Sequence, residues 1–315
     1  MSEKLDIIAI GESLIELSTD ENLSDASTLN KYYGGDSLTT AISALRLGSK
    51  VGYISRIGMD SFKNYLLESW QEEGLDISHV KPVQGVNGLY LVSKEQGCSN
   101  KEFAFYRKKT AATNLSIEDI SADYIQNSSL VYTTGITQSL SISAREAIKQ
   151  AFKIAKENNV LTAYDPNYTR LIWTEEEARE AFDEIEEYID IIFLNIKHDS
   201  KPIAEYSSVD NIIKRLWDKG ISTVVVKSTE EKGYYTGYQG KIEFIKFINE
   251  DVIDDTGAGD AFNGGVLHGI TSGMSPFKAV TLGSVVAGLQ IKKFGAIKSI
   301  PDKDEVYRIF KGQND

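Results

Sequence analysis

Short apolar runs that end at a glycine or a polar residue alternate along this chain with longer segments in which apolar residues recur at helical spacing. Leu5–Ile10 is a mostly apolar run closed by Gly11, the pattern of a strand buried on both faces of a parallel sheet. Leu14, Glu16 and Ser18 alternate with Ile15 and Leu17, which predicts a strand with one wet face. Gly34, Gly35, Asp36 and Ser37 open a predicted helix over 38–47, and Gly48 closes it. Residues 51–57 read as a strand, and 59–73 as a polar-faced helix ended by Gly74.

From 85 to 109 the rhythm changes to alternating strands, with 88–93 and 101–107 predicted to form a hairpin through the turn-rich 94–100. With 14–18 and the region of Tyr32, this hairpin is expected to build a small sheet that serves as a lid, a dimer surface or both. After Asn114 the βα rhythm returns: strands at 130–134, 161–165, 189–195 and 223–227 alternate with helices at 144–158, 175–188 and 212–219. A strand-like segment at 242–253 and small-residue helices at 264–270 and 279–292 follow. This alternation implies an α/β fold with a doubly wound, mostly parallel sheet flanked by helices, expected as one domain over 1–315 with lid segments at about 12–34 and 85–110. Ligands of such sheets bind outside the carboxyl ends of the strands, and Gly11, Asp165 to Asn167, Asn195, Lys227 and the Gly257 loop all follow strand ends.

Composition narrows the function classes. A chain of 315 residues with net charge −12 lacks the clustered cations that a nucleic-acid surface needs, although a local basic pocket for an anion remains open. The lone Cys98 excludes an intrachain disulfide framework and a cysteine-based structural zinc site. No apolar run reaches the ~18 residues of a membrane helix, and the first residues carry no signal-peptide pattern. A cytoplasmic enzyme is the expectation.

The stretch from Asp254 to Asn263, reading Asp-Asp-Thr-Gly-Ala-Gly-Asp-Ala-Phe-Asn, carries the most chemistry. Gly257 and Gly259 let backbone N–H groups approach an anion, and the helix behind them adds the positive end of its dipole. Asp260, in the first turn of that helix, reads either as an ordinary acidic helix start or as a general base beside an anion hole. The string resembles the C-terminal signature of the ribokinase-like (PfkB-type) carbohydrate kinases. That resemblance implies Asp260 as base and the backbone of Gly257, Ala258 and Gly259 as anion hole. It also implies ATP and Mg2+ as cofactors, with a monovalent cation near Asp254 open because Asp255 replaces the family's usual Thr.

The resemblance runs along nearly the whole chain. Gly34, Gly35 and Asp36, followed by Ser37-Leu38-Thr39-Thr40-Ala41, look like the glycine motif that meets sugar hydroxyls, closest to 2-keto-3-deoxygluconate kinases, with Thr39 where the family usually has Asn. Phe105-Tyr106-Arg107 resembles the Tyr-Tyr-Arg of that branch, in which the first aromatic and the Arg contact substrate, and Tyr90 matches another contacting aromatic. On a strand Phe105 and Arg107 would share one face, and an Arg there suits a carboxylate; the bland alternative is a solvated basic edge. Asp165-Pro166-Asn167-Tyr168-Thr169-Arg170 resembles a motif whose Arg falls one residue earlier, so Arg170 is expected at a phosphate, at the substrate carboxylate, or on the surface. Asn195 stands where Asn-x-x-Glu is usual; the acid is absent, with Asp199 a candidate to replace it through a water. Lys227, Ser228 and Gly233 resemble the nucleotide-binding turn, or equally form a polar hairpin. Phe294-Gly295-Ala296 resembles the family's Gly-Ala turn beside adenine.

Together these imply an ATP-dependent kinase acting on a terminal hydroxyl of a sugar acid such as 2-keto-3-deoxygluconate, oligomeric through its lid. A neutral-sugar kinase of fructokinase or ribokinase type, or a non-catalytic sugar sensor on the same fold, are the alternatives.

Overall fold

The computed structural model describes residues 4–93, 102–199, 202–203, 208–248 and 252–312. Two sheets organise it. The strands of the large sheet are β1 (Leu5–Ile10), β4 (Val51–Gly58), β5 (Val80–Val83), β8 (Ser128–Thr134), β9 (Leu161–Asp165), β10 (Ile191–Asn195), β11 (Thr223–Ser228), β12 (Gly233–Tyr238) and β13 (Lys241–Lys246). They lie in the order β13-β12-β11-β10-β9-β8-β1-β4-β5. All neighbours from β5 to β11 are parallel, and β12 and β13 add an antiparallel edge. The small sheet consists of β2 (Leu14–Thr19), β3 (Asn30–Gly34), β6 (Gly88–Ser93) and β7 (Phe103–Tyr106), in the order β3-β2-β6-β7.

Each central strand is buried on both faces, so its alternate side chains feed two separate cores. Ile7 and Ala9 face α1 (Asp36–Arg46), α2 (Lys63–Glu73), α9 (Ala258–Thr271), α10 (Pro276–Gln290) and α11 (Lys303–Gly312). Ile8 and Ile10 face α3 (Ala122–Gln126), α5 (Ile142–Glu157), α6 (Glu175–Asp183) and α8 (Val209–Asp218). Two short helices, α4 (Gly135–Gln138) and α7 (Ile196–Asp199), follow directly on β8 and β10. No helix among the described residues is long and apolar enough to cross a membrane.

Several expectations change on meeting the structure. The Glu16 side of β2 is not wet: Glu16 and Ser18 are buried, and Glu16 accepts the Tyr90 hydroxyl across the β2–β6 pair. Alternation in the sequence cannot tell a solvated face from one that looks into a polar cleft. The helix foreseen from Met59 begins at Lys63, because Asp60 instead turns the chain, accepting from the N–H groups of Phe62 at 2.9 Å and Asn87 at 2.7 Å. Strand β7 stops at Tyr106, so Arg107 lies beyond it and does not share the strand face of Phe105. The loop 94–100 lies outside the described residues. Strand β5 and the C-terminal α11 carry no pattern read from the sequence, and 175–188 divides into α6 and a 3-10 turn, Glu186–Tyr188.

Helix α9 packs closely against α1 and α10. A methyl added at Gly264 would lie 2.5 Å from both Ser43 Cβ and the Thr40 carbonyl oxygen on α1, and one at Gly265 would lie 2.8 Å from Gly283 Cα on α10. Glycine is used here for close approach between helices, which explains the small-residue run in the sequence. Substituting Gly264→Ala should therefore overpack the α1–α9 contact and destabilise the protein by about 1–3 kcal/mol, measured by denaturant unfolding. A loss below about 0.5 kcal/mol would show that the helices separate easily.

Candidate active site

The carboxyl ends of β1, β8, β9, β10 and β11 line one edge of the large sheet, and there the chain places Thr134, Asp165, Asn195 and Lys227 in the last residues of their strands and Glu12 just beyond β1. The first turn of α9 faces this edge. Gly257 is its N-cap in the left-handed region, φ 77°, and a methyl there would lie 2.9 Å from Ala296 Cβ, so both the backbone angle and the space call for glycine. The first turn is held in place by hydroxyls of α1: Thr40 donates to the Asp260 carbonyl at 3.1 Å and Ser43 to the Ala261 carbonyl at 2.8 Å. The amides of Gly257, Ala258 and Gly259 thus sit at a helix N-terminus that no side chain caps, a favourable place for negative charge.

A cavity of about 220 Å3 lies in front of that turn, lined by Asp260, Gly257, Gly259, Lys227, Asp165, Asn167 and Asn195. Lys227 Nζ lies 2.8 Å from Asp165 Oδ2, and the same oxygen accepts from Asn263 Nδ2 at 2.7 Å. Asp165 Oδ1 accepts the Asn167 N–H at 2.9 Å, fixing a loop in which Asn167 adopts φ 43°. The Asn167 amide then donates to Asp36 Oδ2 at 3.3 Å, and Asp36 Oδ1 accepts from the Ser37 N–H at 2.7 Å. Loss of surrounding water pushes the Asp260 carboxyl well above the usual carboxylate range; the negative charges of Asp36 and Asp165 add to this, and Lys227 opposes it. Burial likewise raises Asp36.

Two larger cavities are present, the first sharing Lys227, Asn195 and Gly259 with this centre. One, of about 390 Å3, is bounded by Lys227 and Asn195 at one end and by Tyr234, Phe247, Ala287, Gly288 and Ile291 as an apolar wall. The other, of about 800 Å3, opens under the small sheet and is lined by Phe105, Arg107, Asn87, Thr110 and Leu171 among others. Phe105 stacks on Tyr90 with ring centroids 5.8 Å apart. Gly34 passes close beneath the Tyr90 ring, since a methyl there would lie 2.9 Å from its hydroxyl. Gly35, φ 132°, is the N-cap of α1 and has the Glu12 carbonyl 2.4 Å from where a methyl would sit.

The site-residue expectations divide on this geometry. Asp260, Gly257, Gly259, Asn167, Asn195 and Lys227 meet around the central cavity, with Ala258 and Asp36 adjoining. Phe105 and Arg107 line the cavity under the small sheet, with Tyr90 behind Phe105. Arg170 does not join them: it is exposed, in a separate surface depression with Glu175 to Glu177. Ser228 and Gly233 line none of these cavities; Ser228 is buried and accepts the Glu231 N–H at 3.3 Å, and Gly233 has no room for a side chain beside Phe244 and the Ile245 carbonyl. Asp199 is a strut, its two oxygens accepting the N–H groups of Tyr168 at 2.9 Å and Asn195 at 2.6 Å, and burial raises it to about 7. Asp254 accepts from the Thr256 N–H and hydroxyl and from the Gly295 N–H, tying the signature loop to the Gly-Ala turn.

One residue went unread in the sequence. Glu12, directly after the Gly11 that closes β1, is buried, and its Oε2 lies 2.6 Å from Arg107 Nη2. An acid at the carboxyl end of a central strand was the available signal. Burial raises its carboxyl to about 7; Arg107 pulls it down and Asp36 pushes it up.

Comparison with known proteins agrees with this arrangement. A 5-dehydro-2-deoxygluconokinase of Clostridium perfringens is 27% identical, over 99% of this chain and 94% of its own length. A 2-dehydro-3-deoxygluconokinase of Bacillus subtilis is 28% identical, over 98% of this chain and 97% of its own. The crystal structure of a sugar kinase from Pyrococcus horikoshii in complex with ATP superposes with a TM-score of 0.79 at 26% identity, covering 96% of this chain and 97% of that one. The model of the pfkB family carbohydrate kinases matches residues 4–303. Matched over that span, and with an aspartate and a glycine-capped helix start at the edge of a parallel sheet, the chain belongs to the pfkB family of carbohydrate kinases, phosphotransferases that act on an alcohol group.

Proposed function

We propose that this protein phosphorylates the terminal hydroxyl of a sugar acid of the 2-keto-3-deoxygluconate type, with ATP as donor and the small sheet as a lid over the sugar. The observation that carries the reading is the placement of Asp260: it lines the cavity that also holds Lys227 and the first turn of α9, and that cavity shares Lys227, Asn195 and Gly259 with the apolar-walled one. The apolar wall of Tyr234, Phe247, Ala287 and Ile291 suits a purine base, and Lys227 with the Gly257 to Gly259 amides suits phosphate oxygens, so ATP fits the residues present. Among the described residues no cluster of three or more His, Cys, Asp or Glu could hold a metal, and Mg2+ would arrive held by the nucleotide's phosphates and water. Bound together, ATP and Mg2+ supply the phosphoryl group and neutralise its charge.

The chain's own residues do the rest. Asp260, ionised, takes the proton of the accepting hydroxyl. Lys227 and the helix-start amides stabilise negative charge, and Asp165 with Asn263 keeps the Lys227 ammonium aimed into the cavity. Arg107 supplies a cation to the sugar cavity. The two relatives described above are named for keto-deoxy sugar acids, which supports an anionic substrate. A second reading, a neutral-sugar kinase, draws on the Glu12–Arg107 ion pair, which engages the part-buried cation of the sugar cavity and leaves the exposed Lys108 and Lys109.

Three outcomes test this. Asp260→Asn should lower kcat by about 10²–10⁴-fold while nucleotide binding, followed by calorimetry, stays within about threefold; near-normal turnover would remove Asp260 as base. Because Asp260 is raised and must lose its proton to act, wild-type kcat should climb with pH beyond the ordinary carboxylate range, and the residual activity of Asp260→Asn should lack that limb. Arg107→Ala should cost about 10- to 100-fold in kcat/KM for 2-keto-3-deoxygluconate and leave fructose unchanged. Activity on fructose alone, indifferent to Arg107, would overturn the sugar-acid reading and leave the base in place.

A further inference from the structure

The contact between Glu12 and Arg107 is the least expected feature of the sugar cavity. Arg107 stands where a substrate carboxylate would be received, yet its Nη2 lies 2.6 Å from a carboxylate of the protein itself, and the two side chains are 11% and 2% exposed. Glu12 thus already engages a nitrogen of the guanidinium that a substrate carboxylate would use. Glu12 cannot swing away easily. Its Oε1 receives the Thr110 hydroxyl at 3.4 Å and lies 3.2 Å from where a methyl at Gly88 would sit.

The groups facing Glu12 are few: Arg107 and Thr110 from the segment after β7, Asp36 from the start of α1, and Tyr53 from β4. Burial keeps the Tyr53 phenol neutral, and its hydroxyl pairs with Ser37 at 3.2 Å. Against Arg107 stand two carboxylates of the chain, Glu12 and Asp36, while Lys108 and Lys109, which also line the cavity, are exposed. An anionic sugar brings a third carboxylate, and like charges sharing one partner are stable only when one of them carries a proton.

We propose that Glu12 is a specificity-determining residue that sets the charge preference of the sugar cavity: by pairing with Arg107 it admits neutral sugars freely, and it admits an anionic sugar only as it takes up a proton. The inference rests on the cavity beneath the small sheet being the sugar site, and it deepens that reading by assigning its charge selection to one side chain. Glu12 does not touch the reacting atoms; it acts through Arg107. That its carboxyl already holds a proton up to about 7 places the exchange near neutrality. Below that value Arg107 faces a neutral acid and is available to the sugar. Above it, a proton must be drawn from water for every anionic sugar bound.

The test is a pair of pH series, from roughly pH 6 to roughly pH 9, for wild type and Glu12→Gln at saturating ATP and Mg2+. Specificity for 2-keto-3-deoxygluconate is divided by that for fructose at each pH. The ratio cancels the titration of Asp260, which both sugars share; a sugar that is not turned over is measured as a competitive inhibitor of the other. In wild type the ratio should fall by about tenfold per pH unit above about 7, through KM or the inhibition constant and not through kcat. In Glu12→Gln the slope should vanish and the ratio at pH 8 should rise about tenfold. A ratio that is unchanged or lower in Glu12→Gln overturns the proposal, as does a slope that survives the substitution, which would assign the proton to Asp36. If circular dichroism shows that Glu12→Gln does not fold, the wild-type series decides, and a ratio flat in pH overturns it. A wild type that phosphorylates only fructose, yet shows the Glu12-dependent slope in inhibition by the acid, would overturn the sugar-acid substrate and leave the role of Glu12 standing.

Discussion

The architecture turns on one buried carboxylate. Asp165 is 3% exposed, and a charge so placed is tolerated only when its oxygens are fully partnered. Its partners come from three directions: Lys227 from the end of β11, Asn263 from inside α9, and the Asn167 N–H from its own loop. One side chain therefore ties the middle of the sheet to the helix that bears Asp260 and to the loop that reaches Asp36. Remove it and Lys227 is left without its counter-charge between two cavities, while Asn263 loses its hold on β9. Asp165 also adds negative potential at Asp260, so the group that fixes the geometry tunes the proposed base as well.

Around that hub the site is crowded with acids. Asp36, Asp165, Asp260 and Glu12 stand against Lys227 and Arg107, and each cation is engaged by a carboxylate of the chain. The net charge of −12 is in this sense continued into the cleft. Beside these, Lys108 and Lys109 line the cavity under the small sheet with exposed side chains. Such a cleft rewards ligands that bring their own counter-ions, as a nucleotide with its magnesium does.

Much of this was legible in the sequence, for physical reasons that differ by element. The central strands announced themselves because burial on both faces demands uninterrupted apolar runs, and the signature loop because a left-handed Gly257 and a close Gly264 leave no other residue possible. What failed was whatever depends on partners distant along the chain. The buried Glu16 looked like half of a wet face because its partner, Tyr90, lies on another strand. Arg170 looked like a site residue by its place after Asn167, but its side chain is out in solvent. Asp199 was read only as a stand-in for the missing acid, and nothing local in the sequence announced the backbone amides of Tyr168 and Asn195 that its oxygens hold. Glu12 passed unread because its one signal, an acid at the end of a central strand, does not say which residue answers it; only the fold brings Arg107 to it.

The two sheets contribute differently to the cleft. Asp260, Lys227 and Asp165 belong to elements of the large sheet and its tightly interlocked helices, whereas Phe105, Tyr90 and Arg107 sit in or just beyond the strands of the small one. The glycine contacts that wedge α9 between α1 and α10 leave no slack in the first group. The second group hangs on short strands with exposed aromatic edges, Phe103 and Tyr106 among them. A substitution in the first group is therefore felt across many interlocked contacts at once, whereas one in the second can be absorbed where it falls.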